Sequence, residues 1–278
     1  MATITASEVN SLRKQTGAGM MDCKKALVEA EGDFDKAIEI LRKKGQKVAA
    51  KRGDRDANEG LVIAKSTSDG KKGVILTLNC ETDFVAKNDD FTGFANKIVD
   101  LAIENQPASI DELKAISYDG NGLTIGEKII EEVGKIGEKI DLSQYALVEA
   151  EKVVAYNHPG NKIASIVGLN KDVADSNELG KDVAMQVAAM APVALNEDGV
   201  SQEIIDKEIE IGKEQARAEG KPENILEKIA LGKLQKFYKE NTLLHQQFIK
   251  DNKKSVSQYL KEQDKDLTVT RFERFALV

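Results

Sequence analysis

The chain has no tryptophan, two cysteines, two histidines and four prolines, and aromatic residues make up 5% of its 278 positions. Each scarcity excludes something. Cys23 and Cys80 lie too far apart to form a redox motif, and free thiols in a reducing compartment are the default. His158 and His245 have neither a cysteine nor a second histidine at metal-ligand spacing, so no structural zinc is expected. No stretch approaches the ~18 uninterrupted apolar residues of a membrane-spanning helix. Met1-Ala2-Thr3-Ile4 lacks the basic-then-apolar pattern of a signal region, which makes the cytoplasm the expected compartment. A basic surplus is missing too: 40 Lys and Arg stand against 47 Asp and Glu, a net charge of -7. Proteins that embrace phosphates over a large area usually carry excess positive charge, so direct nucleic-acid binding is disfavoured.

Recognisable catalytic chemistry is also absent. Gly134-Lys135 and Gly180-Lys181 lack the upstream glycine and the following Ser or Thr of a phosphate-binding loop. There is no Gly-x-Gly-x-x-Gly after a strand and no Gly-x-Ser-x-Gly elbow. Carboxylate pairs such as Glu131-Glu132 and Asp89-Asp90 read as solvated helix faces. A Cys80–His158 dyad has no supporting spacing.

What is present is 41% hydrophobic and 31% charged residues, the profile of a globular protein, with length for about two domains on a prior of ~150 residues each. Thr5-Ala6-Ser7-Glu8 is a capping box that opens a helix ending at Thr16-Gly17-Ala18-Gly19. Asp22 can cap a second helix, with Met20 and Met21 in the loop before it, and Gly32 breaks that helix. Asp33 can cap a third, with Phe34, Ala37, Ile38 and Leu41 on one face, and Lys43 to Asp56 reads as a charged linker.

From Gly60 the period changes. Leu61-Val62-Ile63-Ala64 and Val74 to Leu78 flank Ser68-Asp69-Gly70-Lys71, a hairpin signal. A helix with Phe91, Phe94, Ala95, Ile98, Val99 and Ala102 follows, then two more over Ile110–Ile116 and Ile125–Ile140. The pattern recurs when Lys152–Tyr156 and Ile163–Val167 flank Asn157-His158-Pro159-Gly160-Asn161, ahead of a helix with Val183, Ala184, Val187, Ala188 and Ala191. This predicts an α+β duplication, two related hairpin-plus-helix subdomains. Between residues 200 and 240, Ile204, Ile205, Glu208, Ile211 and Ala218 on one side of Gly220-Lys221-Pro222, and Ile225, Leu226, Ile229, Ala230, Leu234 and Phe237 on the other, predict a helical hairpin. Thr268 to Leu277 alternates as a returning strand.

One segment stands out. Cys80-Glu81-Thr82-Asp83-Phe84-Val85-Ala86-Lys87-Asn88 puts an acid and an aromatic side by side where a strand gives way to a loop, and function concentrates in such connections. The plain alternative is that Phe84 tucks under the next helix as core.

Two motifs carry a family resemblance. Thr16-Gly17-Ala18-Gly19-Met20-Met21-Asp22-Cys23-Lys24-Lys25-Ala26-Leu27 resembles the N-terminal module of the bacterial elongation factor Ts family, and Asn79 to Lys87 resembles that family's core signature. Tyr156-Asn157-His158 with Lys162-Ile163, Met185-Gln186-Val187-Ala188-Ala189 and Arg271-Phe272-Glu273 resemble its later hairpin, helix and final strand, while Glu104 to Gln144 matches least. The resemblance implies a ubiquitin-associated (UBA)-like three-helix domain over residues 1–54, core subdomains over 55–145 and over 146–199 with 241–278, and an antiparallel coiled coil over 200–240. It implies guanine-nucleotide exchange on elongation factor Tu (EF-Tu), bound with GDP or nucleotide-free, with no catalytic side chain and no cofactor. Thr82, Asp83, Phe84 and Val85 would dislodge the partner's Mg²⁺, and Arg13, Met20, Met21, Lys24 and His158 would contact the partner. The complex would be one-to-one or two-plus-two. The competing readings are a scaffold that uses the three-helix module to hold another protein, and a thiol enzyme built on Cys80.

Overall fold

The computed structural model describes residues 4–120 and 122–277. The first helix, α1 (Ala6–Thr16), opens with the expected capping box: Glu8 N–H donates to Thr5 Oγ1 at 3.2 Å, and Thr5 N–H donates to the Glu8 carboxylate at 2.7 Å. It stops at Gly17, whose φ of 68° is left-handed. The second helix, α2, spans Met20–Glu29 and begins behind Gly19, so Met20 and Met21 form its first turn rather than a loop. Asp22 is not the cap. It lies inside that first turn, where a carboxylate suits the positive helix end, and it pairs with Lys44.

Helix α3 (Phe34–Arg52) is capped by Asp33, which accepts from Lys36 N–H at 3.1 Å. Val9, Leu12, Cys23, Ala26, Leu27, Ala30 and Ala37 form the core shared by these three helices.

Two strands follow, β1 (Glu59–Ser66) and β2 (Lys72–Cys80), joined by a turn in which Thr67 N–H donates to Lys72 O at 2.8 Å. Next come a single helical turn, α4 (Asp83–Ala86), and then α5 (Asp89–Asn105), whose Phe91, Phe94, Ala95, Ile98, Val99 and Ala102 are all buried. Helices α6 (Ile110–Ala115) and α7 (Ile125–Ile136) come after. The last of these is shorter than its apolar run promises. Gly137, at φ 82°, ends it, and Ile140–Glu149 is instead a strand, β3, in a sheet of order β1-β2-β3.

The segment read as a linker from Lys43 is helical as far as Arg52. Its inner face is made of small residues. Gly45 is buried against α7, and a Cβ on Gly134 would lie 2.5 Å from the Gly45 Cα. Two glycines in register let the helix backbones approach, so few large apolar residues are needed, and the sequence looked too charged to pack.

The remaining elements are β4 (Lys152–Asn157), β5 (Ile163–Leu169), α8 (Ser176–Met190), α9 (Gln202–Ala218), α10 (Glu223–Asn241), β6 (Gln247–Phe248), β7 (Asp251–Ser255), α11 (Val256–Lys261) and β8 (Val269–Ala276). The final strand returns as expected, antiparallel to β5, with Val167 opposite Phe272, in a sheet of order β4-β5-β8. Helix α8 covers this sheet over a core that includes Val167, Leu169, Val183, Val187 and Phe248. The β6-β7 pair and α11 carried too short a pattern to be anticipated.

Helices α9 and α10 pack against each other about Gly220. Their seam is narrower than the sequence implied: Gly212 and Ala216 are buried, a Cβ on Gly212 would meet the Ala230 Cα at 3.0 Å, and Ala218 is exposed.

The chain forms two compact units. One takes in the chain up to Ile63 and Leu76–Ala146, and the other takes in Ala64–Ile75 and Leu147–Ala276. Among the described residues no helix is long and apolar enough to cross a membrane.

Candidate functional site

The first unit builds the Thr82–Val85 segment outward from the end of β2. Cys80 is fully buried, and its Sγ donates to Thr82 O at 3.2 Å. Burial first, and then the nearby Glu138 carboxylate, push this thiol up to about 12, so at neutral pH it is not a thiolate nucleophile.

Beyond it the chain is held from two sides. Glu81 turns toward the end of α3 and accepts from Arg52 Nη1 at 2.8 Å, Arg55 Nη1 at 3.1 Å and the Lys139 backbone N–H at 2.6 Å. Burial works against its charge, yet the Lys139 N–H and the two guanidinium groups outweigh it and hold the carboxyl down at about 2. Thr82 faces Glu138. Its N–H donates to Oε2 at 3.0 Å and its hydroxyl donates to Oε1 at 2.8 Å. Lys139 completes the tie by donating through Nζ to Gly53 O and Arg55 O, each at 2.8 Å. Residues 81–82 and 138–139 therefore grip each other reciprocally.

Thr82 is also the cap of α4, with extended backbone (φ -126°, ψ 153°) and Oγ1 accepting from Val85 N–H at 3.4 Å. This cap places Asp83 and Phe84 in the first turn. Asp83 accepts from Lys87 Nζ at 2.7 Å, one helical turn on. Phe84 is 83% exposed, the most exposed of the large apolar side chains among the described residues. Tucking under the next helix is therefore not its fate: the phenylalanines that lie in the α5 core are Phe91, at 2%, and Phe94. Val85 is half-buried and holds the turn's inner side with Ala86.

Of the other residues singled out by the sequence, Arg13 and Met20 lie with Val85, Asn88, Lys135 and Ile136 along one open groove of about 410 Å³. Met20 and Met21 are 55% and 62% exposed, and Lys24 is exposed on α2; Met21 and Lys24 do not line that groove. His158 belongs to the second unit. It lies just past β4 in the turn to β5, exposed, with its N–H donating to Ile163 O at 2.9 Å and Nδ1 3.0 Å from the Tyr156 hydroxyl. The preceding Asn157 anchors that turn by accepting from Ala64 N–H at 2.8 Å and donating to Ala64 O at 2.9 Å.

Sequence reasoning missed Glu138, Lys139, Arg52 and Arg55. The only local signal was Gly137, which marks a helix end and says nothing about a partner 56 residues away in sequence. Among the described residues no group of three or more His, Cys, Asp or Glu side chains is placed to hold a metal. The turn offers an apolar ring and a carboxylate on a short, braced piece of backbone. That equipment suits insertion into another macromolecule.

The profile of the Elongation factor TS family matches residues 81–278. The chain is 60% identical over 277 residues to the elongation factor Ts of Christiangramia forsetii, with 100% of each chain covered. It is 53% identical over 278 residues to that of Cytophaga hutchinsonii, again with 100% of each covered, and 52% identical over 277 residues to that of Flavobacterium psychrophilum. Coverage of this extent, spanning the braced turn, the groove and the His158 turn together, means that the chain belongs to the elongation factor Ts family.

Proposed function

We propose that the chain is a guanine-nucleotide exchange factor of translation elongation that binds EF-Tu·GDP, disturbs the Mg²⁺ and phosphate site of that GTPase, and releases GDP so that GTP can bind. In this reading the protein acts without bond chemistry of its own and works in the cytoplasm. The observation that carries it is the 83% exposure of Phe84 on a turn held by charge-assisted hydrogen bonds, in a chain of this family.

A nucleotide held at nanomolar affinity corresponds to about 12 kcal/mol. Part of that holding runs through Mg²⁺, which bridges phosphates to protein oxygens in a demanding octahedron. A factor that binds best to a GTPase with a displaced ion weakens the nucleotide without touching it, and linkage makes the effect reciprocal. Phe84 acts as the wedge and Asp83 as the group that rearranges polar contacts near the ion. Thr82 and Val85 hold the turn. Burying one Phe is worth about 1.5–3 kcal/mol, so the rest of the interface must share the load.

Met20 and Met21, with Arg13 and Lys24 flanking, dock the first three helices on the GTPase, where flexible thioethers fit an imperfect groove. His158 is a contact from the second unit. We read the first three helices (residues 1–54) as a UBA-like domain, residues 55–145 and 146–199 with 241–278 as two related core subdomains, and the hairpin at 200–240 as a projecting coiled coil compatible with a two-plus-two assembly.

The test is stopped-flow release of fluorescent GDP from the cognate EF-Tu. Added protein should accelerate release in a concentration-dependent, saturable way. No acceleration at any concentration rejects the proposal.

A further inference from the structure

We propose that Glu138 is a positioning residue for the Asp83-Phe84 pair: it pre-forms the exchange-competent shape of the α4 turn before any partner arrives, a role that rests on the exchange reading above. Four residues are far too few to be helical on their own. The turn has little packing to compensate, since Ala86 is its one buried residue and Phe84 is directed into solvent. Its cap bond from Val85 N–H to Thr82 Oγ1 is long, at 3.4 Å, and the Lys87–Asp83 pair is exposed and correspondingly weak.

One carboxylate makes up the shortfall. Glu138 takes both donors of Thr82, at 3.0 and 2.8 Å, which fixes the backbone and the χ1 of the capping residue together. Glu138 is itself set in place by the left-handed Gly137 before it and by the Lys139 N–H bonded to Glu81 after it. Glu138 does not line the groove, and its hydrogen bonds to the segment go to Thr82, so its influence passes through Thr82.

Losing this contact leaves the ring present but the turn only fractionally in the competent shape. The apparent affinity for the GTPase then falls by that fraction, while complexes that do form exchange normally. The experiment is GDP release from EF-Tu as a function of factor concentration, using the full chain. In Glu138→Ala the half-saturating concentration should rise about tenfold, the scale of a lost charge-assisted pair, with the plateau rate held within about twofold. Glu138→Gln can keep one bond and reverse the other, and should return the half-saturating concentration to within about threefold of native. If Glu138→Ala does not fold, Glu138→Asp, which withdraws the carboxylate by one methylene, carries the same expectation of weakened half-saturation.

A second readout needs no partner. The chain has no tryptophan, so Phe84→Trp introduces a single indole. Adding Glu138→Ala to it should give that indole a fast local depolarisation, at a temperature where both variants are fully folded by circular dichroism. An unchanged half-saturating concentration, or an indole as immobile without Glu138 as with it, overturns the positioning role. Phe84→Ala run alongside separates the failures. If Phe84→Ala slows release while Glu138→Ala leaves the half-saturating concentration unchanged, the clamp alone is wrong; if neither variant changes release at any factor concentration, the exchange reading of the turn falls with it.

Discussion

The dipeptide Asp-Phe occurs three times in this chain, at 33–34, 83–84 and 90–91, each time where a helix begins. The last two make the sharpest pair. Phe91 opens a helix of 17 residues and heads a stripe that continues through Phe94, Ala95, Ile98, Val99 and Ala102, so burying it completes a face. Phe84 opens a helix of four residues with no stripe behind it, and it remains in water. The same ring becomes core in one place and an exposed apolar tip in the other. What differs is the length of helix that follows and the polar brace underneath. A core phenylalanine needs neighbours of its own kind, whereas an exposed one that must keep a defined direction needs its backbone held by something else, here Glu138 and Glu81.

The contrast can be attacked directly. Phe91→Ala should destabilise the protein by about 3–5 kcal/mol in urea unfolding, as large-to-small changes at buried aromatic sites do; a loss under about 1 kcal/mol would mean that the two phenylalanines are not opposites. Glu81→Gln tests the brace through pH. The Glu81 carboxyl is lowered from 4.5 to about 2 in the folded protein, so its ionised form stabilises the fold above pH 4.5, and that contribution is lost as pH falls through the folded value near 2. The stability gap between native and Glu81→Gln should therefore be full above pH 4.5 and close steadily below it; a gap that does not change across that window removes Glu81 from the brace. Asn88 caps α5 by accepting from Asp90 N–H at 2.8 Å, and Asn88→Ala should cost about 1 kcal/mol in the same unfolding assay. The smallest effect belongs to Phe84→Ala, whose stability should stay within about 0.5 kcal/mol of native.

How much of this was legible beforehand depends on the range over which each feature acts. The Thr5–Glu8 box, the Asp33 cap and the α5 stripe are written within one or a few turns, and they appear where the sequence put them. The Thr82–Val85 segment could be picked out because its chemistry is odd for a loop. Its direction could not, since burial under α5 and exposure to solvent are equally compatible with one Phe after one Asp.

The misses have a common cause. The Ile125–Ile140 run keeps apolar residues at helical spacing to its end, and only Gly137 divides α7 from β3; a strand at that point is decided by pairing in a sheet, which local pattern does not report. The end of α3 looked unpackable because its contact with α7 is made by Gly45 and Gly134, residues that leave no hydrophobic trace. Glu138 is invisible for the same reason: a single acid in a charged chain acquires meaning only when folding brings it to Thr82.

The central claim is that an exposed ring on a braced turn, contributing almost nothing to the fold, supplies the action on another protein. GDP release from EF-Tu, measured at saturating factor for the native chain and for Phe84→Ala with unfolding curves recorded on the same samples, tests it most directly. We predict unfolding curves that superimpose and a release rate lower by about 10- to 100-fold, the rate equivalent of one buried phenylalanine. Equal release rates from two equally stable proteins would contradict it.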